Sequence, residues 1–556
     1  MSHELFERHC DMLEKAVAAT RSREYFSAYN ESPSPRVYGE DAASAGKAAF
    51  EALLGSTFPL STPGAYGTIA GEKSPFGFEL EVAYPRVTEG GVDELLSAAR
   101  DGMKAWRDAG PLARVGVCLE ILHRLHGRIF ELANAVQHTS GQAFVMAFQA
   151  GGAHALDRAL ESVAYAHEEM TRVPETAVWE KPAKGEPLRM EKTFTVVPRG
   201  VALVIGCNTF PTWNSWPGLF ASLACGNPVV VKPHPGAVLP LAITVQAAQE
   251  VLAEAGFDRN LITLAAEDPA DRLAAVLAVR PEVKLIDFTG SNAFGDWLEE
   301  NAKQAIVFTE KAGVNTVVID STDSFRGMCM NLAFSFSLYT GQMCTAPQNV
   351  YLPADGIETD EGHKSVAEVA AGVDAALGKL LGDDARAVEL LGGVVNEGVL
   401  TRLSESGSKG DVLVESRVVQ HPAFDGAVVR TPLIIGLTSK DADVYESECF
   451  GPVSYLISTS GTDESIDLFR RTVIEHGAMT ASVYSTSPDV TAAMREAALD
   501  AGVALSENLT GQVFVNQSAA FSDFHGTGAN PAANASYTDT AYVASRFRIV
   551  QSRRHI

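Results

Sequence analysis

The sequence predicts an α/β fold: a doubly wound parallel sheet, a second α/β region after it, and an added β-hairpin. Three observations carry this expectation. Between Thr193 and about residue 312, short β-branched runs alternate with helical stretches at the pitch that parallel strands and their crossovers require. A second alternating stretch begins near Val314 and runs to about residue 515. At 556 residues the chain exceeds what one hydrophobic core organises, so several packed lobes are expected.

In chain order, residues 1–90 form a leader. It opens helically in Met1–Ala19, then turns rich in Ser, Pro, Gly and Tyr, as in Tyr29-Asn-Glu-Ser-Pro-Ser-Pro and Gly55-Ser-Thr-Phe-Pro-Leu. That composition suits a loop-rich extension packed on a larger body. Apolar residues at three- and four-residue spacing predict helices over 92–107, 112–138 and 145–171. Lys181–Leu188 reads as the tip of a hairpin spanning about 175–195. Strands follow at Gly200–Ile205, Val229–Lys232, Leu261–Leu264, Val283–Phe288 and Ala305–Phe308, with helices near 214–225, 239–255, 268–279 and 291–303 between them. Doubly wound sheets bind ligands at the carboxyl ends of their strands. In the tail, residues 542–550 alternate apolar and polar and read as a strand.

Composition narrows the function. The chain is 46% hydrophobic and 20% charged, which is ordinary globular composition. Its net charge of −25 repels phosphate backbones and anionic lipid, so neither nucleic acid nor membrane is expected as a partner. Seven scattered cysteines without a CxxC pair fit reduced thiols in the cytoplasm better than a disulfide frame or a zinc site. The N-terminus lacks the basic and apolar blocks of a secretory signal, and no apolar run approaches the roughly 20 residues of a membrane span.

Five motifs carry chemistry. Tyr339-Thr-Gly-Gln-Met-Cys-Thr-Ala-Pro-Gln348 presents Cys344 on a Gly-containing tight segment, where backbone amides can approach a developing oxyanion. A lone cysteine is by default a packing thiol, so its company decides. Glu310, in Phe308-Thr-Glu-Lys-Ala-Gly313, ends a strand and is expected to be raised toward neutrality by burial, fit to take a proton from a thiol or water. Ile286-Asp-Phe-Thr-Gly-Ser-Asn-Ala-Phe-Gly295 is a strand, a Gly290-Ser291 turn and a helix start, an arrangement that suits a pyrophosphate. Val229–Lys232 delivers an ammonium at a strand end, with His234 beside it. In Tyr445-Glu-Ser-Glu-Cys-Phe-Gly-Pro-Val453, Glu448 suits a ribose diol and Phe450 a pocket wall.

Taken in this order, the motifs resemble the aldehyde dehydrogenase superfamily over roughly residues 95–516. The family's Phe-Thr-Gly-Ser cofactor turn matches Phe288–Ser291, its catalytic glutamate Glu310, its Gly-Gln-x-Cys nucleophile loop Gly341–Cys344, and its Glu-x-Phe-Gly-Pro element Glu448–Pro452. Glu310 and Cys344 keep the family's separation of 34 positions. The resemblance implies an aldehyde dehydrogenase-like fold, with a dinucleotide-binding domain at 91–312, a catalytic domain at 313–516 and a C-terminal segment at 517–556. The hairpin and tail strand are implied to pair between subunits of a homodimer or homotetramer. It implies Cys344 as nucleophile, Glu310 as base, and Lys232, His234, Gly290, Ser291, Gly313, Glu448 and Phe450 around NAD or NADP. Phe210, Asn214, Thr345 and His525 are the expected aldehyde pocket, while Trp213 and Trp216 read as core or tunnel wall.

Two departures sharpen this. The family's oxyanion-donating asparagine falls on Thr209, with Asn208 one residue earlier, so either residue is a candidate partner to the Cys344 amide. Three residues after Lys232, where NAD-preferring members carry a glutamate, stands Pro235, which predicts a preference for NADP. The leader stretch Ser27–Gly39 and the stretch His138–Gly152 resemble the PaaN-type branch of phenylacetate degradation. That resemblance implies oxidation of a CoA-linked semialdehyde released from an opened oxepin-CoA ring. The chain runs roughly 40 residues beyond its last motif, so a ring-opening hydratase is expected to be a separate protein. The alternatives are a CoA-acylating dehydrogenase, which Glu310 disfavours, and a catalytically silent relative, which Cys344 and Glu310 together disfavour.

Overall fold

The computed structural model describes residues 2–311 and 313–556, apart from the side chains of Ser2 and His3; Ala312, at the expected boundary between the two main domains, lies outside the described residues. Two large sheets organise the chain. The first contains β1 (Val201–Ile205), β2 (Val229–Lys232), β3 (Ile262–Leu264), β4 (Val283–Thr289) and β5 (Ile306–Glu310) in the order β3-β2-β1-β4-β5. All its pairings are parallel. β1 and β2 are buried at every position, as strands covered by helices on both faces must be. The order reverses between β1 and β4, and the crevice at such a reversal is where open α/β sheets bind ligands.

The second sheet contains β6 (Thr316–Ile319), β7 (Asn349–Pro353), β8 (Asp411–Val414), β9 (Leu433–Thr438), β10 (Val453–Thr459), β11 (Ala481–Tyr484) and β12 (Leu505–Glu507), in the order β8-β9-β10-β7-β6-β11-β12. Only the β8–β9 pairing is antiparallel. The doubly wound α/β expectation therefore holds, with one antiparallel edge strand in the second sheet.

The helices differ in detail from the periodic reading. The stretch expected over 112–138 is two helices, Gly110–His126 and Ile129–Ser140, and the next is interrupted by a wider turn at Gln149–His154. The leader opens with the helix Ser2–Ser22, laid on Gly110–His126 so closely that a Cβ on Gly116 would sit 2.5 Å from the Phe6 nitrogen. Further along, the buried Glu72 carboxylate accepts from the Val238 and Leu239 amides (2.6 and 3.0 Å), the open N-terminus of the helix Leu239–Glu254, and from the Tyr84 hydroxyl (2.5 Å).

The tail corrects one expectation. Residues Thr540–Ala544 form a helical turn, capped by Asp539 accepting from the Tyr542 amide at 2.7 Å, and the strand begins at Phe547. Strand Phe547–His555 lies antiparallel on Leu188–Pro198 of the same chain, from Phe547 opposite Pro198 to His555 opposite Met190. Leu188–Pro198 in turn pairs with Thr176–Lys181. Hairpin and tail therefore pair with each other within one chain. Just before this strand, the buried Arg546 guanidinium forks onto Asp287 of β4 (2.5 and 2.8 Å), and the Tyr542 hydroxyl donates to the same carboxylate at 2.7 Å. No helix among the described residues is long and apolar enough to cross a membrane.

Candidate active site

The residues singled out in the first sheet all lie at its carboxyl edge. β1 runs out into Cys207–Phe210, β2 ends on Lys232, β4 leads into Gly290 and Ser291, and β5 ends on Glu310. The second sheet supplies the loop between the helix Phe325–Ser337 and β7, which carries Cys344.

That loop is bent and then pinned. Tyr339, Thr340 and Gly341 are consecutive left-handed residues (φ 52°, 54° and 63°). The two non-glycines cost about 1–2 kcal/mol each in that conformation, and their side chains offset it. The Tyr339 hydroxyl donates to the Ser140 carbonyl, and the Thr340 hydroxyl to the Leu391 carbonyl at 2.8 Å. Gly341 is required, because a Cβ there would come within 2.4 Å of the Gly451 oxygen. The buried Gln342 amide ties the turn to Gly393 (3.0 Å) and Val395 (2.8 Å). Past the turn, the Asn315 amide nitrogen donates to the carbonyls of Cys344 (2.7 Å) and Ala346 (2.9 Å), while its oxygen accepts from the amides of Met479 and Thr480.

Three groups then converge. The Cys344 Sγ lies 3.8 Å from His525 Nε2, and the same nitrogen lies 3.2 Å from Glu310 Oε1. The sulfur, a Glu310 carboxylate oxygen and a His525 ring nitrogen all fall within 4.8 Å of one another. Glu310 is fully buried, and burial alone would raise its carboxyl; the charge and hydrogen bond of a protonated His525, with the hydrogen bond from Asn214 Nδ2 to Oε2 (2.9 Å), instead hold it below the usual value. That corrects the expectation of a carboxyl raised toward neutrality. Burial and the Glu310 charge push the Cys344 thiol well up, so Cys344 rests as a thiol.

The other expected residues divide. The Asn208 amide nitrogen donates to the Thr139 carbonyl at 2.9 Å, with its oxygen beside Gly236. The Thr209 hydroxyl is within 4.0 Å of Cys207 Sγ, which itself sits 3.6 Å from the Asn214 oxygen. Gln142 fixes this turn by donating to the Thr209 carbonyl at 2.8 Å. Phe210 is buried edge-on against Tyr339. Asn214, expected in the aldehyde pocket, holds Glu310. The buried Thr345 hydroxyl is committed to the Asn516 carbonyl at 2.8 Å and so braces the loop instead of facing a ligand. Trp216 is core, donating to Thr244, whereas Trp213 stands edge-on to the His525 ring at 4.6 Å.

On the other side of β1, Lys232 is buried and paired with the Glu267 carboxylate, from the segment after β3. His234 is exposed, its Nδ1 accepting from the Gly236 amide at 3.0 Å, so it offers no cation there. The Gly290 amide donates to the Glu310 carbonyl at 3.0 Å, and Ser291 stands exposed at the start of the helix Asn292–Asn301 with no side-chain cap. Glu448 accepts from the Gly313 amide, and burial pushes its carboxyl up to about 7. The part-buried Phe450 gives its carbonyl to Arg402 at 2.8 Å. A helix N-terminus for a pyrophosphate and two carboxylates for ribose hydroxyls suit a dinucleotide.

The aldehyde dehydrogenase family model matches residues 72–532. The chain belongs to the aldehyde dehydrogenase family. This aldehyde dehydrogenase is 57% identical to a crystal structure of an NAD-dependent aldehyde dehydrogenase from Burkholderia multivorans, with a TM-score of 0.98 over 100% of both chains. Among curated relatives, the FUS7 aldehyde dehydrogenase of Gibberella fujikuroi is 29% identical over 317 residues, 55% of this chain, and the match spans only 62% of that protein's length. Vanillin dehydrogenase of Pseudomonas fluorescens is 24% identical over 419 residues, 73% of this chain and 80% of that one.

Two features of this dehydrogenase's site were not foreseen. Glu267 belongs to no motif, and reaches Lys232 only because β3 lies beside β2. Asn315 stands just before a strand, and nothing in Val314-Asn315-Thr316 signals that it anchors the Cys344 loop.

Proposed function

We propose that this aldehyde dehydrogenase oxidises an aldehyde to a carboxylic acid through a thioester on Cys344, with NAD as hydride acceptor. The placement of the Cys344 sulfur within 4.8 Å of Glu310, buried at the carboxyl edge of the first sheet, carries this reading. The thiolate attacks the carbonyl, the Cys344 amide and Thr209 hold the oxyanion, and a thioester remains after hydride loss. A bound nicotinamide supplies the hydride acceptor. Glu310 then takes a proton from water as the thioester is hydrolysed. Residues 91–312 serve as the cofactor domain and 313–516 as the catalytic domain, with Gly290, Ser291, Gly313, Glu448 and Phe450 around the dinucleotide. The exposed edges of the hairpin and tail sheet, at Val178 and Val550, suit a homodimer or homotetramer in the cytoplasm, where thiols stay reduced.

The Lys232–Glu267 pair shifts the cofactor preference from the NADP expected of Pro235 toward NAD, because Glu267 restores a carboxylate at the site from the neighbouring strand. The NAD dependence of the Burkholderia multivorans relative supports the same choice. For substrate we propose a CoA-linked semialdehyde, supported by the leader motifs, with Glu310 favouring hydrolysis over acyl transfer to CoA. The test is a substrate screen that sets CoA-linked semialdehydes beside simple aliphatic and aromatic aldehydes, with NAD and without free CoA. Free acid as product supports hydrolysis, and an absolute requirement for CoA overturns it. Cys344→Ala should abolish NADH formation while leaving NAD binding intact.

A further inference from the structure

We propose that His525 is a second catalytic base: its Nε2 takes the Cys344 thiol proton in the first half of the reaction, leaving Glu310 to serve the water in the second. The assignment rests on the reading of Cys344 as nucleophile. One imidazole nitrogen faces both partners, at 3.8 Å from Sγ and 3.2 Å from Glu310 Oε1. The ring is only 4% exposed and is fixed on several sides. His525 and Tyr537 exchange backbone hydrogen bonds of 2.8 and 2.9 Å, Tyr537 stacks over the ring, and Trp213 meets it edge-on. An imidazole held this way serves geometry, and a merely space-filling residue at this point needs no nitrogen.

The chemistry favours the same division. Burial and the Glu310 charge keep the thiol protonated, so attack requires a base in contact with it. With its proton on Nδ1, the neutral ring presents the Nε2 lone pair to the thiol. An ordinary imidazole is about a hundredfold stronger as a base than an ordinary carboxylate. Protonating His525 places an imidazolium between a thiolate and a carboxylate, where both neighbours stabilise it. The other ionisable groups around the trio are Cys207 from the loop after β1, Tyr537, Glu448 from the loop before β10, and Arg158, which lies over Trp213 and donates to the Asp523 carbonyl.

The steps balance. The S–H bond breaks with its proton moving to Nε2, and sulfur forms the C–S bond as the carbonyl pair moves to oxygen. Hydride leaves carbon for the oxidised nicotinamide, and C=O re-forms as a thioester. Water adds its oxygen to carbon and its proton to Glu310. The C–S bond then breaks, sulfur recovers its proton from His525, and Glu310 releases one to solvent. Aldehyde, NAD and water thus give acid, NADH and one proton.

The test follows alkylation of Cys344 by iodoacetamide across pH, reading the labelled peptide by mass, in the wild type, His525→Gln and Glu310→Gln. At pH 7, His525→Gln should alkylate at least about 30-fold more slowly than wild type, converging with it near pH 10. Glu310→Gln should alkylate within about threefold of wild type and keep a burst of NADH, yet lose steady-state turnover. Equal alkylation profiles for His525→Gln and wild type overturn the proposal, as does a Glu310→Gln profile that matches His525→Gln. Added imidazole should restore alkylation to His525→Ala at pH 7, and no restoration in that variant also overturns it. Because alkylation is read without turnover, these outcomes are separate from failure of the nucleophile assignment, which shows as aldehyde oxidation persisting in Cys344→Ala.

Discussion

Replacing Glu267 by Gln exchanges one carboxylate oxygen for an amide and leaves the shape of the Lys232 site almost unchanged. In the wild type Lys232 and Glu267 form a buried pair, so a 2′-phosphate approaching the lysine meets a carboxylate at the same distance and gains little net attraction. The Gln variant removes that repulsion. Two unit charges about 5 Å apart interact by about 3 kcal/mol at an effective dielectric of 20. Solvent entering the open cofactor crevice reduces this to about 1.5–3 kcal/mol, a ten- to hundredfold change at about 1.4 kcal/mol per decade. The wild type should therefore favour NAD, and Glu267→Gln should move the ratio of kcat/KM for NADP over NAD upward by ten- to hundredfold, mostly through KM for NADP. The gain should shrink as ionic strength rises, because it is electrostatic in origin. Steady-state kinetics with both cofactors at saturating aldehyde, at low and high salt, measure this directly. A ratio unchanged within threefold, or a wild type that already prefers NADP strongly, would refute the reasoning.

Further predictions address stability and the base. Arg546→Ala leaves the Asp287 carboxylate buried without its partner and should destabilise the fold by about 3–5 kcal/mol, read as a lower urea midpoint; Asp287→Asn with Arg546→Met should recover most of the loss. His138 is buried against Phe50 and Phe76, and burial lowers its ring to about 4. The unfolded chain takes up that proton near pH 6.5 and the folded one does not, so about 3 kcal/mol of stability should be lost as pH falls from about 6.5 to 4; His138→Gln should flatten that limb in pH-dependent unfolding. Asn214→Ala removes one donor to Glu310, so the acid limb of the deacylation rate should move to higher pH with KM for aldehyde unchanged.

The parallel strands were legible because burial on both faces leaves near-continuous Val, Leu and Ile runs in β1, β2 and β4. Cys344 and Glu310 were legible because their motifs are local in sequence. What escaped notice depends on neighbours distant along the chain. His525 is 181 positions from Cys344 and comes to it through the packing of its segment on Tyr537, so sequence placed it near the pocket but not on the thiol. The Asn208 amide finds its partner in the Thr139 carbonyl, 69 positions away along the chain. Glu267, on which the proposed NAD preference turns, follows β3 and lies 35 positions from Lys232 along the chain. The tail was read as strand through 542–544 because alternation ignores Asp539, whose side chain caps a helical turn there.

The Asp287–Arg546 pair also bears on how the chain is made. Asp287 lies inside the first sheet, and its counter-charge follows 259 positions later. A ribosome therefore releases β1 to β5 well before the guanidinium that neutralises their buried carboxylate has been synthesised. Until then the sheet lacks the counter-charge that its buried carboxylate has in the finished fold, whose packing there includes residues beyond 540. The closing of this buried pair is therefore possible only after the whole of the first sheet has been synthesised.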